Sequence, residues 1–525
     1  MTTHRRKYEI VVSLMFGGLL ACGPSGGGGS PGTGGSSGGT MGAAGTTGAG
    51  GGEAGTSGAA GTSGGAGTTG IAGTGGASAT AGTGGSNATA GTSGGAGTVG
   101  SGGRGGSAGS AGGTGGASGR GGTGGSGAGG RGGTTGAGGG GTGGGGTQAW
   151  VGTWATGPQL TETGNNPPNP PGLTNNTLRQ IVFTSISGSQ ARLRLSNEFG
   201  DGPVTMNAVH IALATSGSSI DTTTDKALTF SGAASVTIAQ NQAVYSDAFA
   251  FTVPALSKVA ITIAFGSTPA GITGHPGSRT TSYIGTGNMV GAASISGATT
   301  AEHWYYIVGL DVMAPAGTAA LVTLGDSITD GRGSTTDMNN RWPDDLSRRL
   351  QANAATMGKV AVLNQGIGGN AVLSGGLGPT AQARFMRDVL QMRGVKWLII
   401  LEGINDLGGS SSGATTATQL TTAFGSLADM AHTAGIKVYG ATITPFNGNN
   451  TYYNADRESG RTMVNSWIRT TTKFDAVIDL DMALRDATDA TKMVTTYDSG
   501  DGLHPSVAGH QKIADTVNLA LFANP

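Results

Sequence analysis

Residues 23–147 are almost entirely Gly, Ser, Thr and Ala, and this run denies a fold to a large part of the chain. It holds no aromatic residue, and its charges are Glu53, Arg104, Arg120 and Arg131. So little apolar surface cannot offset the entropy of ordering, and the segment is expected to be disordered. A Gly/Ser-rich coil of this length has an r.m.s. span of roughly 60 Å, which makes it a tether. Any fold must come from residues 148–525, a length sufficient for two domains. The formal net charge is +0. No basic patch with interleaved aromatics occurs, so nucleic acid is not an expected partner.

The first 22 residues give the tether a purpose. A basic head, His4-Arg5-Arg6-Lys7, precedes a mostly apolar run at 10–20, and Leu19-Leu20-Ala21-Cys22 follows. The run falls well short of the roughly 20 apolar residues needed to span a bilayer, so it reads as a signal-peptide core. Its end resembles the lipobox of bacterial lipoproteins. That resemblance implies cleavage before Cys22, a lipid on Cys22, and an exported protein anchored to a bacterial membrane, at the cell surface or in the periplasm. Cys22 is the only cysteine, which excludes an intramolecular disulfide.

From 148 to 315 the pattern becomes one of short strands. "TLRQIVFTSISG", "SQARLRLSNEFG", "ASVTIAQN" and "SKVAITIAF" alternate or run apolar over strand lengths, punctuated by Gly, Pro, Asn and Asp. No long 3.6-residue period intervenes, so an antiparallel β-sandwich domain is expected. From 316 to 525 short apolar runs at 320–324, 359–363, 397–401, 437–444 and 476–480 alternate with helical patterns at 343–352, 381–392, 419–434 and 457–471. A last helix is expected over 506–522. Pro343, followed by Asp344 and Asp345, suits a first helical turn, and Gly435 suits the position just past a helix end. Such alternation predicts a flavodoxin-like, three-layer α/β domain with a doubly wound parallel sheet, whose ligands lie at the carboxyl ends of the strands.

Chemistry-bearing residues fall at those ends. Ser327 in "LVTLGDSITDG" follows the first run, "NQGIGGN" the second and "EGIND" the third, while "DGLHPS" precedes the last helix. A serine hydroxyl becomes a nucleophile only with a base, a group orienting that base, and donors for the oxyanion. Asp501 and His504 are three residues apart, close enough for one turn to join carboxylate and imidazole. The order Ser, Asp, His is one of several that build a triad.

Together the four blocks resemble those of the GDSL, or SGNH, hydrolase superfamily: Gly325-Asp326-Ser327-Ile328, Gly369-Asn370, Gly403-Ile404-Asn405-Asp406 and Asp501-Gly502-Leu503-His504. The resemblance covers about 319–525. "WVGTWATGPQL" and "RLRLSNEFG" are similar to the β region of a bacterial subgroup that includes esterases of polysaccharide breakdown. The resemblance implies Ser327 as nucleophile, His504 as base and Asp501 as its orienter. It also implies an oxyanion hole from the Ser327 and Gly369 amides and the Asn405 side chain. Ile328 stands where Leu is common.

Asp326 and Asp406 are expected to cap backbone amides. His210, His275, His303, His432 and His510 lack motif partners and read as surface or packing residues. No two histidines have metal-ligand spacing on one helix, so no metal is expected. Nor is any cofactor, because the dinucleotide-like glycines at 366–371 lead into "VLSGGLGPT" and not into a helix. The nucleophile-elbow pattern G-x-S-x-G recurs at 61–65 and 409–413 without a strand immediately before it. The expected function is an exported serine esterase acting on short O-acyl groups of carbohydrate. A lipase, lysophospholipase or thioesterase is the enzymatic alternative, and a non-catalytic, cell-surface glycan-binding protein the alternative of another class.

Overall fold

A computed structural model describes residues 148–523. The expected signal segment, Cys22 and the expected tether lie outside the described residues. The β region is built on strands β1 (Ala149–Ala155), β2 (Asn176–Phe183), β3 (Gly188–Ser196), β4 (Val204–Leu213), β5 (Lys258–Phe265), β6 (Thr273–His275), β7 (Ser282–Thr286) and β8 (Ile307–Ala314). One antiparallel sheet joins β1, β8 and β3; a second runs β7-β2-β5-β4. Alternation sets the faces. In β3, Ala191, Leu193 and Leu195 are buried in the main core, while Arg192 lies between the Trp150 and Tyr245 rings and pairs with Asp311 at 2.9 Å. β5 is buried from Val259 onward, because its second face is covered too: Ala260 joins Ile181, Ala212 and Ile220 in a smaller cluster. Each fully buried Val, Ile or Leu contributes about 1.5–3 kcal/mol, so a strand buried on both faces reads as a continuous apolar run.

Two charged or polar positions break that reading. Arg179 and Gln180 are buried in β2. Arg179 donates to Thr262 Oγ1 and to the carbonyls of Ser218 and Ala292, and Gln180 exchanges bonds with the Tyr305 backbone. Their polar atoms are matched by fixed partners, which is what makes such burial tolerable.

The second region alternates β9 (Ala319–Gly325), α1 (Ser327–Asp330), α2 (Trp342–Ala352), β10 (Val360–Gly366), α3 (Ala381–Phe385), β11 (Val395–Leu401), α4 (Ile404–Gly408), α5 (Gly413–Thr433), β12 (Lys437–Ala441), α6 (Ala455–Thr470), β13 (Ala476–Ile478), α7 (Leu480–Leu484) and α8 (Val507–Thr516). All neighbouring strands are parallel, in the order β10-β9-β11-β12-β13, which is the doubly wound arrangement expected. Leu321, Val362, Trp397 and Ile399 pack on one face with Trp342, Leu346, Leu350, Ile513 and Phe522. Val322, Leu324, Leu363 and Leu398 pack on the other, with Leu420, Phe424 and Leu427 of α5.

That second face is also covered by β1, so the β and α/β regions share one core. Gly152 of β1 lies against Leu363 of β10, where a Cβ would come within 2.9 Å of a methyl carbon. Val362 N donates to Ser185 Oγ across the same boundary.

Several expected boundaries move. The 381–392 helix is a short α-helix followed by a π-turn, Met386–Leu390. The helix expected at 419 begins at Gly413, capped by Ser412 Oγ on Thr415 N. The last helix stops at Thr516, and a 3₁₀ turn, Leu519–Phe522, follows under the Asn518 cap. β12 ends at Ala441, short of residue 444, and β13 ends at Ile478 because Asp479 caps α7.

Candidate active site

β9 ends at Gly325, where a Cβ would lie 2.0 Å from Thr329 Oγ1 and 2.8 Å from Leu401 O. Only glycine lets the chain turn there directly into α1. Asp326 caps the helix, its carboxylate accepting from Ile328 N at 2.9 Å, and Ser327 is the first helical residue. A serine thus follows a buried strand so abruptly because the turn lifts it to the carboxyl edge of the sheet. Ser327 and His504 are each 7% exposed, enough to be reached by a small reactant.

Ser327 Oγ lies 2.9 Å from His504 Nε2, and His504 Nδ1 lies 2.6 Å from Asp501 Oδ2. Asp501 Oδ1 accepts from the backbone amides of His504 and Leu503, so the 501–504 turn locks the carboxylate against the ring. Burial works to raise the pKa of Asp501, but the bonds and charge of the His504 ring and these amides outweigh it. They hold the carboxyl well below its usual range. An ionised Asp501 accepts a hydrogen bond from Nδ1–H, which leaves the Nε2 lone pair facing the serine hydroxyl. That is the arrangement a general base requires.

The second group of expected residues gathers beside the first. Gly369 follows β10 with φ +70°, and among the described residues no acceptor bonds its amide. Asn405 lies in the first turn of α4, and its Nδ2 donates to Asn370 O at 2.7 Å, leaving its second hydrogen. Tyr452 fixes the orientation of that amide by donating from its hydroxyl to Asn405 Oδ1 at 2.7 Å. Tyr452 fits because Gly408 has no side chain; a Cβ there would lie 2.0 Å from the ring. Asp406 accepts from the amides of Val372 and Leu373, the capping role expected of it.

Beneath these loops lies buried charge. Arg384 donates to Gly325 O, Gln365 O and Asn370 Oδ1, and meets Glu402 and Asp388. Burial pushes the Asp326 carboxyl up to about 7 and the Glu402 carboxyl well above its ordinary value. In both, bonds or charges that favour ionisation, Ile328 N for Asp326 and Arg384 for Glu402, offset only part of that cost.

All five histidines set aside lie outside the Ser327 line, yet two are not mere packing. His275 and His510 are buried and hydrogen-bonded through both ring nitrogens. His210 and His432 pair with Asp225 and Asp475, and His303 Nδ1 meets Pro276 O. Tyr452, Arg384 and His275 escaped sequence reasoning. Only Asp330, the partner of His275, carried a signal, standing three residues after Ser327 in "GDSITD".

Residues 323–512 match the sequence model of the GDSL-like lipase/acylhydrolase family, and all four blocks fall within that span. This segment is a GDSL-like lipase/acylhydrolase domain, and it makes the protein an ester hydrolase. No curated protein matches the chain. Solved structures similar to the acylhydrolase domain include a putative lipolytic protein of the G-D-S-L family from Desulfitobacterium hafniense, at 19% identity over 38% of this chain and 97% of that one, TM-score 0.30. The acetylxylan esterase Axe2 from Geobacillus stearothermophilus is similar at 22% identity over 40% of this chain and 96% of that one, TM-score 0.30. The carbohydrate acetylesterase Est24 from Sinorhizobium meliloti is similar at 15% identity over 38% and 95%, TM-score 0.29.

Proposed function

We propose that this ester hydrolase is an exported, lipid-anchored serine esterase that removes short O-acyl groups from carbohydrate through an acyl-enzyme. The observation that carries the catalytic part is the continuous hydrogen-bonded line from Ser327 through His504 to Asp501. Ser327 Oγ attacks the ester carbonyl carbon while its proton passes to His504 Nε2. Asp501 stabilises the resulting imidazolium. The carbonyl oxygen becomes an oxyanion, for which the Ser327 and Gly369 amides and the second Asn405 hydrogen are donors. Collapse breaks the bond to the alcohol, which leaves with the His504 proton. Water then gives a proton to His504 and attacks the acyl carbon. The second collapse releases the carboxylic acid and returns the proton to Ser327.

The short-chain part rests on the chain around the nucleophile. Segments 329–340, 368–380 and 408–418 are mostly Gly, Ser, Thr, Asn and Asp, whereas a long acyl chain needs a substantial apolar groove. The anchor rests on the lipobox-like sequence Leu19-Leu20-Ala21-Cys22. Two experiments test this. Ser327→Ala is expected to cut turnover by several orders of magnitude and to abolish labelling by a fluorophosphonate; undiminished turnover refutes the nucleophile. Wild-type kcat/KM across 4-nitrophenyl esters is expected to peak at acetate to butyrate, alongside release of acetate from acetylated polysaccharide. A peak at decanoate or beyond would replace this reading with a lipase.

A further inference from the structure

His275 and His510 are both buried, and their partners differ in kind. His510 Nδ1 faces the Trp342 N–H and its Nε2 faces Arg332 O, one donor and one acceptor, which suits a neutral ring. His275 Nδ1 faces Gly157 O at 2.9 Å and its Nε2 faces Asp330 Oδ1 at 2.8 Å, two acceptors. A hydrogen must therefore lie on each of the two lines, so His275 and Asp330 act as one bonded unit. Its other end matters for the chemistry. Asp330 Oδ2 accepts from Gly368 N at 2.9 Å, next to the Gly369 amide.

The contact is close on every side. A Cβ on Gly277 would sit within 2.3 Å of the Asp330 carboxyl carbon, and a Cβ on Gly366 within 2.2 Å of Asp330 N. Gly157, whose carbonyl holds His275, itself abuts Ile367, where a Cβ would lie 2.9 Å from Cγ1. Ile367 N bonds Gly325 O, and Asn364 Nδ2 bonds Thr329 O, lacing the end of β10 and its loop to the end of β9 and to α1. The ring of His275 stacks on Trp304 of the β region, with centroids 5.7 Å apart, and the Arg341 guanidinium lies over that indole at 5.7 Å. The β region thus reaches from Gly157 and His275, through Asp330, to the amides beside the nucleophile.

We infer that His275 and Asp330 are positioning residues of the active site: the β region holds the Gly368–Gly369 amides in the geometry that binds the oxyanion. This rests on the proposed triad and oxyanion hole. It assigns to residues 148–315 a part in turnover separate from any binding of carbohydrate. The unit touches no substrate; it acts through Gly368 on the orientation of Gly369. Displacing a donor by about 1 Å is costly, because the oxyanion bond exists only in the transition state.

The test compares Asp330→Ala with Asp330→Asn in the full chain, with rates normalised to sites titrated by fluorophosphonate. Asparagine keeps every bond. Its oxygen accepts from Gly368 N, and its amide donates to His275 Nε2, while Nδ1–H still serves Gly157 O. Asp330→Ala is expected to lower kcat about 10- to 100-fold with KM within about twofold. Affinity for a boronic acid, which binds as a tetrahedral anion, should weaken in step. Asp330→Asn is expected to restore kcat to within about threefold of wild type. If Asp330→Ala does not fold, Asp330→Ser, too short to reach Gly368, is read in its place. Full kcat per titrated site in Asp330→Ala, or equal loss in Ala and Asn, overturns this inference and leaves the proposed function standing. A wild-type activity that Ser327→Ala does not silence overturns both.

Discussion

His510 offers a quantitative check on the packing behind the catalytic turn. Its ring is fully buried and bridges Trp342, at the start of α2, to Arg332, whose guanidinium lies 3.9 Å from Asp501. Burial is the main cause of its lowered pKa, pushed to about 4; the Arg332 carbonyl and Asp344 raise it, while Arg341 and His504 lower it further. In the unfolded chain the ring titrates near 6.5. Because the folded value is the lower one, the neutral ring stabilises the fold above about pH 6.5. That contribution is lost as pH falls toward 4, at about 1.4 kcal/mol per pH unit. Integrated to pH 4, the loss is about 3 kcal/mol. His510→Gln keeps a donor for Arg332 O and does not titrate. Urea unfolding of both proteins at half-unit steps from pH 4 to 8 should show a constant stability difference at pH 7–8. Below pH 6.5 wild type should lose about 3 kcal/mol relative to the variant. Carboxylates such as Asp501 titrate in both proteins and cancel in that difference. Parallel pH curves would refute the assignment of a buried, neutral ring.

Asn405→Ala should lower kcat about 10²- to 10³-fold with a smaller change in KM, as for the loss of one oxyanion donor; steady-state kinetics on 4-nitrophenyl acetate decide it. Tyr452→Phe leaves Asn405 Oδ1 without its donor at a cost of about 1–3 kcal/mol. It should therefore cut kcat by roughly tenfold while probe labelling of Ser327 persists. Cys22→Ala should move the protein from the detergent phase to the aqueous phase on phase separation and leave kcat unchanged.

What the sequence made legible was local. Each block around Ser327, Gly369, Asn405 and Asp501 is a turn whose geometry its own residues impose: the glycine at 325, the Asp326 cap, the positive φ at Gly369, Gly403 and Gly502. Strand-helix alternation likewise states its own layer order, because parallel neighbours need crossovers. Boundaries were harder where propensity and capping disagree. The start of α5 is hidden in "SSSGATTAT", whose Gly and Thr residues argue weakly for helix until Ser412 closes the first turn. Contacts between distant segments left no trace. His275 and Asp330 are 55 positions apart, and nothing in "GITGHPGS" announces a partner in "GDSITD". Arg179 and Arg384 carry no local sign of burial, and each is buried because carbonyls from remote segments converge on it.

Arg384 shows why such a charge belongs under this site. The carboxyl edge of a parallel sheet is where the last strand carbonyls stand and where the functional loops begin. Arg384 takes two of those carbonyls, Gly325 O at the end of β9 and Gln365 O near the end of β10. With its remaining donors it takes Asn370 Oδ1, Glu402 and Asp388. One side chain therefore joins the turn before Ser327, the loop of Gly369 and the turn before Asn405. Lysine has three donors on a single atom and cannot span that fork. An apolar residue of similar volume would leave Asn370 Oδ1 without a donor in the core, at about 1–3 kcal/mol, and Gly325 O with only the Ile367 amide. The cost of burying the guanidinium is thus offset by donors fixed along one plane. Loops built almost wholly of glycine and small polar residues gain from that plane a rigidity their own side chains do not supply.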